Sequence, residues 1–361
     1  MAQILIAPDS FKGSATSAQV ANALAEGWKI SRPNDEIVIA PFADGGEGTL
    51  DCIESVTPSS VRIPLTVQGA TGIEHKSSWL LVGSDTAVIE MATLCGITTV
   101  DQLDPLGAHS YGLGQAIKAT LEDERVNEVL IAVGGSASTD AGMGALSALG
   151  FKGLDGDGKE LALGGGDLHR LASIKRPTNI AKPARGIKIL VDVQSPLTGL
   201  NGAAHIFGPQ KGANSAQAEQ LDKGLAHFLK VLNVDDRAGF GAAGGVSCGL
   251  AVLLGATIVS GVETIADLID LQEKIEKSDC VVTGEGSFDD QSYRGKAVGY
   301  LLEKGKEINR PVMIACGVNK NAASSSILSL IELAPSVQSA IDNSQRWLIE
   351  CGKVLASRFS R

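Results

Sequence analysis

At 361 residues, with 44% hydrophobic and 20% charged residues, the chain is longer than one typical domain, and two domains are expected. The net charge of −10, without any cluster of Lys and Arg, excludes the basic stripe that sequence-independent nucleic-acid binding needs, although small anions can still bind locally. The 43 glycines, against 12 prolines, supply the tight turns and close backbone approaches that phosphate loops use.

From the N-terminus, Gln3 to Ala7 reads as a short buried strand, followed by a helix with the stripe Val20, Leu24 and Trp28, capped by Ser14 or Ser17 and closed by Pro33. Glu36 to Ala40 is a second strand, and Leu50, Ile53 and Val56 mark a second helix. The middle of the chain is richer in strand pairs: Val61 to Val67, then Lys76 to Val82 and Thr86 to Met91 around the turn Gly83-Ser84-Asp85. Two strand-to-loop transitions follow, Glu128 to Val133 and Ile187 to Val193. An amphipathic helix through Ala218, Leu221, Leu225 and Phe228 and a small-residue segment from Gly239 to Gly255 complete this region. Strand–helix alternation resumes with Cys280 to Thr283, then Val298, Leu301 and Leu302 on a helix, Pro311 to Ala315 as a fourth strand and Ser329 to Leu333 as a fifth. Val337, Ile341, Ser344, Leu348, Cys351 and Leu355 space out as the inner face of one closing helix.

Two strands before the insertion and three after it predict a flavodoxin-like, doubly wound parallel-sheet α/β domain from residues 1–60 and 279–361, interrupted by an inserted second α+β domain at 61–278. Ligands are expected at the carboxyl ends of the strands and in the cleft between two lobes. The cysteines, Cys52, Cys95, Cys248, Cys280, Cys316 and Cys351, stand far apart without a Cys-x-x-Cys or Cys/His cluster, and read as buried thiols of a reducing compartment. The opening apolar run is too short for a signal core or a membrane span, so a cytoplasmic protein without nucleic-acid or membrane partners is expected.

No Walker A sequence is present: the nearest match, Gly153 to Glu160, lacks the Ser/Thr that would ligate magnesium and reads as a hairpin turn. Instead, glycine and carboxylate loops follow predicted strands. In Asp9-Ser10-Phe11-Lys12-Gly13-Ser14, a strand end delivers a carboxylate, a cation and a helix N-terminus, which makes Lys12 a candidate anion ligand against the plainer reading of a surface lysine. Asp44-Gly45-Gly46-Glu47-Gly48 offers backbone N–H groups and two carboxylates that suggest Mg2+ or sugar-acid hydroxyls as partners, against a simple capped turn. Gly134-Gly135-Ser136-Ala137-Ser138-Thr139-Asp140, running on to Gly142 and Gly144, reads as a phosphate cradle opening a helix. Gln210-Lys211, with Asp192 on the preceding strand, adds Lys211 as a second phosphate ligand. Gly284-Glu285-Gly286 leaves the third outer strand and precedes Asp289, Asp290 and Arg294-Gly295-Lys296; Glu285, at a strand end between glycines, reads as functional, whereas Asp290 and Arg294 fit a solvated charge mix as well.

Taken together the segments APDSFKGS, ADGGEGT, VIEMA, GGSA, FGPQKGA, AAGG and TGEGS stand in an order that resembles the type-1 glycerate kinase family over nearly the whole chain. The resemblance implies an α/β lobe interrupted by a second lobe, and ATP-dependent phosphorylation of D-glycerate, to 2-phosphoglycerate in bacterial members. Three places depart from the family pattern and bear on substrate choice: Ser138-Thr139-Asp140 for Thr-Asn-Asp, Gln194-Ser195-Pro196-Leu197 for an Asn-Pro-Leu segment, and His109-Ser110-Tyr111-Gly112 where two threonines are common.

Phosphoryl transfer needs positioning and positive charge more than covalent help. On that basis Lys12, Lys211 and the Gly134 to Ser136 backbone are expected to hold anions, and Asp44 and Glu285 magnesium or substrate hydroxyls. Asp192 is expected to accept the hydroxyl proton, with Asp289 as the alternative. Another hydroxy-acid kinase and a non-enzymatic sugar-acid binding protein are the competing readings.

Overall fold

We describe residues 1–293 and 296–360 of a computed structural model; Arg294, which fits a solvated charge mix, and Gly295 beside it lie outside the described residues. The strands in chain order are β1 (Gln3–Ile6), β2 (Glu36–Ile39), β3 (Val61–Gln68), β4 (Glu74–Val82), β5 (Thr86–Glu90), β6 (Glu128–Ala132), β7 (Lys152–Leu154), β8 (Ser173–Lys175), β9 (Ile187–Leu190), β10 (Thr257–Val259), β11 (Cys280–Phe288), β12 (Val312–Asn319) and β13 (Ile327–Ser329). The chain divides into two compact units, one made of Met1–Asp44, Asp51–Pro58 and the residues from Val262 onward, the other of Gly45–Leu50 and Ser59–Gly261.

The first unit is a five-stranded sheet in the order β13-β12-β11-β1-β2, parallel throughout. Counted along this unit alone, that is the flavodoxin order 2-1-3-4-5, whose topological switch point lies between the first and third strands, here β1 and β11. The helices Ser17–Ser31 and Ser344–Arg358 cover one face, burying Trp28, Leu348 and Leu355 against Ile4, Ile6 and Val282. They approach closely because Gly27 and Gly352 face each other's backbones; a Cβ at Gly27 would run into the Ile349 carbonyl, and one at Gly352 into that of Leu24.

Several expectations change here. Thr16, not Ser14 or Ser17, is the N-cap of the first helix, in a capping box with Gln19. The fifth strand ends at Ser329, and Leu330–Leu333 is a short helix whose N-cap hydroxyl, Ser329 Oγ, bonds Glu332. Ser336 and Asn343 break the closing segment into two helices, Val337–Asp342 and Ser344–Arg358. The unit resumes at Val262, ahead of the expected position 279, since helix Leu271–Lys277 packs on β1 and on helix Ala297–Glu307.

The second unit carries a six-stranded sheet in the order β10-β9-β6-β5-β4-β3, antiparallel from β3 to β5 and parallel from β5 to β10. The segment from Gly239 to Gly255 forms short helical turns interrupted by left-handed residues, with Gly244 at φ 66° and Gly245 at φ 90°. Its small side chains are required because it packs directly on the Ser138–Ala141 backbone: Ala141 N donates to Gly244 O at 3.0 Å, and a Cβ on Gly244 would collide with Ser138 O. All six cysteines are buried and none is in a disulfide. Burial pushes the thiols of Cys95, Cys248, Cys280 and Cys316 up to about 12, and that of Cys351 higher. Among the described residues no helix is long and apolar enough to cross a membrane.

Candidate active site

In the first unit, parallel pairing continues past β1, with Asp9 N donating to Gly284 O at 2.8 Å, so Asp9 stands at the switch point beside β11. Phe11 and Ala15 then close a tight turn that leaves Lys12 exposed. Asp9, Ser10, Lys12, Asp44, Glu285 and Lys296 share a cavity of about 420 Å³. Burial, reinforced by the Asp44 charge, raises the Asp9 pKa to about 7; Ser10 N, donating to its Oδ1 at 2.6 Å, and Lys12 act in the opposite sense, while Glu285 adds to the rise.

Glu285 does not follow the strand as expected but lies inside it, since β11 pairs with β12 as far as Phe288–Asn319. Gly284 is explained by packing, because a Cβ there would strike Ala315 O. Glu285 is 7% exposed, and its Oε1 has no hydrogen-bond partner among the described residues. Burial raises its pKa, with Asp289 and Asp44 adding to the rise and the Ser292 hydroxyl and Lys296 opposing it. No group of three or more His, Cys, Asp or Glu among the described residues could hold a metal by itself. A buried carboxylate with an unused oxygen, repelled by neighbouring acids, nonetheless fits a cation such as Mg2+, which takes one or two protein carboxylates and completes its shell with water and phosphate.

In the second unit, Gly45 and Gly48 take positive φ, at 90° and 86°, and Gly134 N donates to Gly45 O at 3.2 Å. A Cβ on Gly134 would come within 2.6 Å of Gly46 Cα, so the two loops meet only as glycines. Glu90, 1% exposed at the end of β5, holds this loop: its carboxylate accepts Gly48 N and Leu50 N, each at 2.9 Å. Sequence reasoning passed over Glu90, although a single acid in the run Val88-Ile89-Glu90-Met91 was the available signal. Glu47 is exposed.

The Gly134 loop is not a helix-opening cradle. The following helix is the short Met143–Ala148, and its first amides are taken by the chain's own acid: Asp140 accepts Gly142 N at 3.1 Å and Gly144 N at 3.0 Å, together with Ser110 N and Ser110 Oγ, both at 2.8 Å. Asp140, expected to bind ligand, is thus a fully engaged structural group, and Ser110 is its unforeseen partner. Lys211 does enter this loop. It is 2% exposed, with Nζ donating to Ser136 Oγ at 2.8 Å and to Ser138 O at 2.5 Å, while Gln210 beside it is exposed. Burial lowers the Lys211 pKa to about 7, and the Asp140 charge opposes that fall. Ser138 Oγ is buried without a partner among the described residues, and Gly135 takes φ 74°.

Asp192 lies past β9 and its Oδ1 accepts Ser260 Oγ at 2.9 Å and Gly261 N at 3.0 Å, at the start of helix Gly261–Leu268. Asp289 Oδ1 accepts Gln291 N at 3.0 Å, and Lys320 pairs with its other oxygen at 3.6 Å. Each carboxylate thus accepts a backbone N–H of its own loop and organises that turn. Asp192→Ala is therefore expected to lower Tm, through about 1 kcal/mol of lost capping, with kcat within twofold of wild type; a fall in kcat of ~10²-fold without a change in Tm would restore the base assignment.

A parallel sheet with acids and cations gathered at its switch point, and a second set of anion-handling groups around a buried lysine, is the equipment of an α/β enzyme acting on small anionic substrates. The chain belongs to the glycerate kinase family, whose model matches residues 4–360. It is 38% identical over 326 residues to the Escherichia coli K12 protein named glycerate 2-kinase, covering 87% of this chain and 85% of that one. It is 33% identical over 373 residues to the glycerate kinase of Bacillus subtilis 168, covering 98% and 97%. A crystal structure assigned to glycerate kinase 2 of Salmonella typhimurium LT2 superposes with a TM-score of 0.81 at 33% identity, covering 99% of this chain and 97% of that one.

Proposed function

We propose that the protein transfers the γ-phosphoryl group of ATP to D-glycerate, giving 2-phosphoglycerate and ADP. The observation that carries this reading is the match to the E. coli protein named glycerate 2-kinase. In the transfer, an oxygen–phosphorus bond forms from the glycerate hydroxyl, the bond from the γ-phosphorus to the bridging oxygen breaks, ADP leaves with the electron pair, and the hydroxyl proton passes to water. Because the transition state is loose, neutralising and positioning the equatorial oxygens supplies most of the acceleration.

Lys12 and Lys211 are the cations for that purpose. Lys211 is the better placed, because its ammonium is desolvated and its partners Ser136 Oγ and Ser138 O are uncharged. Asp44 and Glu285 would hold Mg2+, which when bound neutralises phosphate charge; Asp9 sits beside them in the same cavity. Glu90 and Asp140 act at one remove, fixing the Gly45–Gly48 and Gly134–Gly144 loops through their N–H groups. The remaining family expectation, a cytoplasmic location, belongs to this same reading.

The test is ADP release measured with ATP, Mg2+ and a panel of hydroxy acids, with the product identified by phosphorus NMR. Release that requires D-glycerate and Mg2+ together, and yields the 2-phosphate, is expected; release with another acid but not with glycerate would overturn the reading.

A further inference from the structure

The cavity at the switch point is unlike its two ends. One end carries the acids and lysines already described. The other is apolar, walled by Val318, Leu330, Ile331, Val337, Ala340 and Ile341 from β12 and from the two short helices after β13. Among these, Val337 and Ile341 are 56% and 48% exposed. Gly286 and Gly317 add bare backbone to the lining. Gly317 is required by packing, since a Cβ there would strike Gly286 O, but a Cβ on Gly286 would meet nothing nearer than 3.7 Å and its φ is not left-handed. What glycine leaves at 286 is room. Ser287, beside it, has a buried Oγ with no partner among the described residues.

A volume of about 420 Å³ is far more than a three-carbon acid fills, and an apolar half gives glycerate, polar at every carbon, nothing to bind. A purine nucleotide matches on every count: a flat apolar ring, a polar sugar in the middle and an anionic tail for which the lysines and a carboxylate-held cation are suited. We infer that this cavity of the first unit is the nucleotide site, with the base against Ile331, Val337 and Ile341, Ser287 Oγ available to the sugar or base edge, and the phosphates toward Lys12 and Lys296. The inference rests on the functional reading above and adds where ATP binds.

Val337→Ser and Ile341→Ser combined alter two exposed positions and leave the core intact. The double variant is expected to raise KM for ATP about tenfold while KM for glycerate and inhibition by inorganic tripolyphosphate stay within twofold, because only the base has lost its wall. A rise in KM for glycerate with an unchanged KM for ATP would overturn the assignment. Photolabelling the wild type with 8-azido-ATP gives a second readout that needs no variant: label on the peptides spanning 317–341 is expected, and label confined to 59–261 overturns it. Failure of the wild type to form ADP with glycerate would instead remove the functional reading, so the two failures are told apart.

Discussion

Lys211→Met is expected to lower kcat/KM by about 10²–10³-fold, the usual cost of removing one preorganised donor from a water-poor site. Methionine keeps the unbranched length and removes the ammonium that bridges Ser136 Oγ and Ser138 O. The same residue sets a pH dependence whose sign can be worked out. Its folded pKa, about 7, lies below the value of 10.5 for an unperturbed lysine, so between those limits the unfolded chain binds more protons than the native one. This lysine therefore contributes a rise of native stability with pH from about 7 upward, which above the ordinary thiol value of 9.0 is opposed by the buried cysteines, whose raised pKa makes the native chain hold more protons there. Lys211→Met should lose this rise. His109, near the Asp140 charge, is held below the ordinary histidine value by burial, so it supplies no rise in the same window. An anion bound at Lys211 restores the ammonium, so calorimetry at pH 8 in buffers of different ionisation enthalpy should show proton uptake on ligand binding in the wild type and none in the variant. Normal turnover in Lys211→Met would return this lysine to a packing role.

Glu285→Gln should separate stability from activity. The substitution retains the shape of the side chain and removes a desolvated charge that Asp44 and Asp289 repel. Tm is expected to rise by a few degrees, while the Mg2+ concentration for half-maximal rate rises about 10–100-fold, as for other disturbed metal sites. Differential scanning calorimetry and a Mg2+ titration of the initial rate measure the two halves. A lower Tm with unchanged Mg2+ dependence would make Glu285 a structural acid.

The sheet order was legible because each outer strand is a short apolar run bounded by turn residues, and two strands before an insertion with three after it leave few unknotted parallel arrangements. The errors arose where a local pattern competed with a distant partner. The run Thr283-Gly284-Glu285-Gly286-Ser287 has loop composition, yet it pairs with β12 because Gly284 and Gly317 allow two backbones to pass closely. Ser329 to Leu333 is apolar enough for a strand, but a capping box at Ser329 turns it into a helix. Asp140 reads from the sequence as part of a phosphate cradle and Asp192 as a proton acceptor at a strand end. That their oxygens belong to the chain's own amides depends on Ser110 and Gly261, far away in sequence, which periodicity and spacing do not reveal. Lys211 was identified for its charge, and only the fold shows that the charge is desolvated.

The sealed cysteines give this protein an internal clock. A thiol-directed dye such as an aromatic disulfide attacks only thiolates it can reach, and the native chain presents none of its six in exposed form. Dye uptake in mild denaturant therefore counts opening events. Because Cys52, Cys280, Cys316 and Cys351 fall in one compact unit and Cys95 and Cys248 in the other, mass mapping of the modified peptides at successive times reports which unit breathes first, in a single unlabelled sample and without any engineered probe.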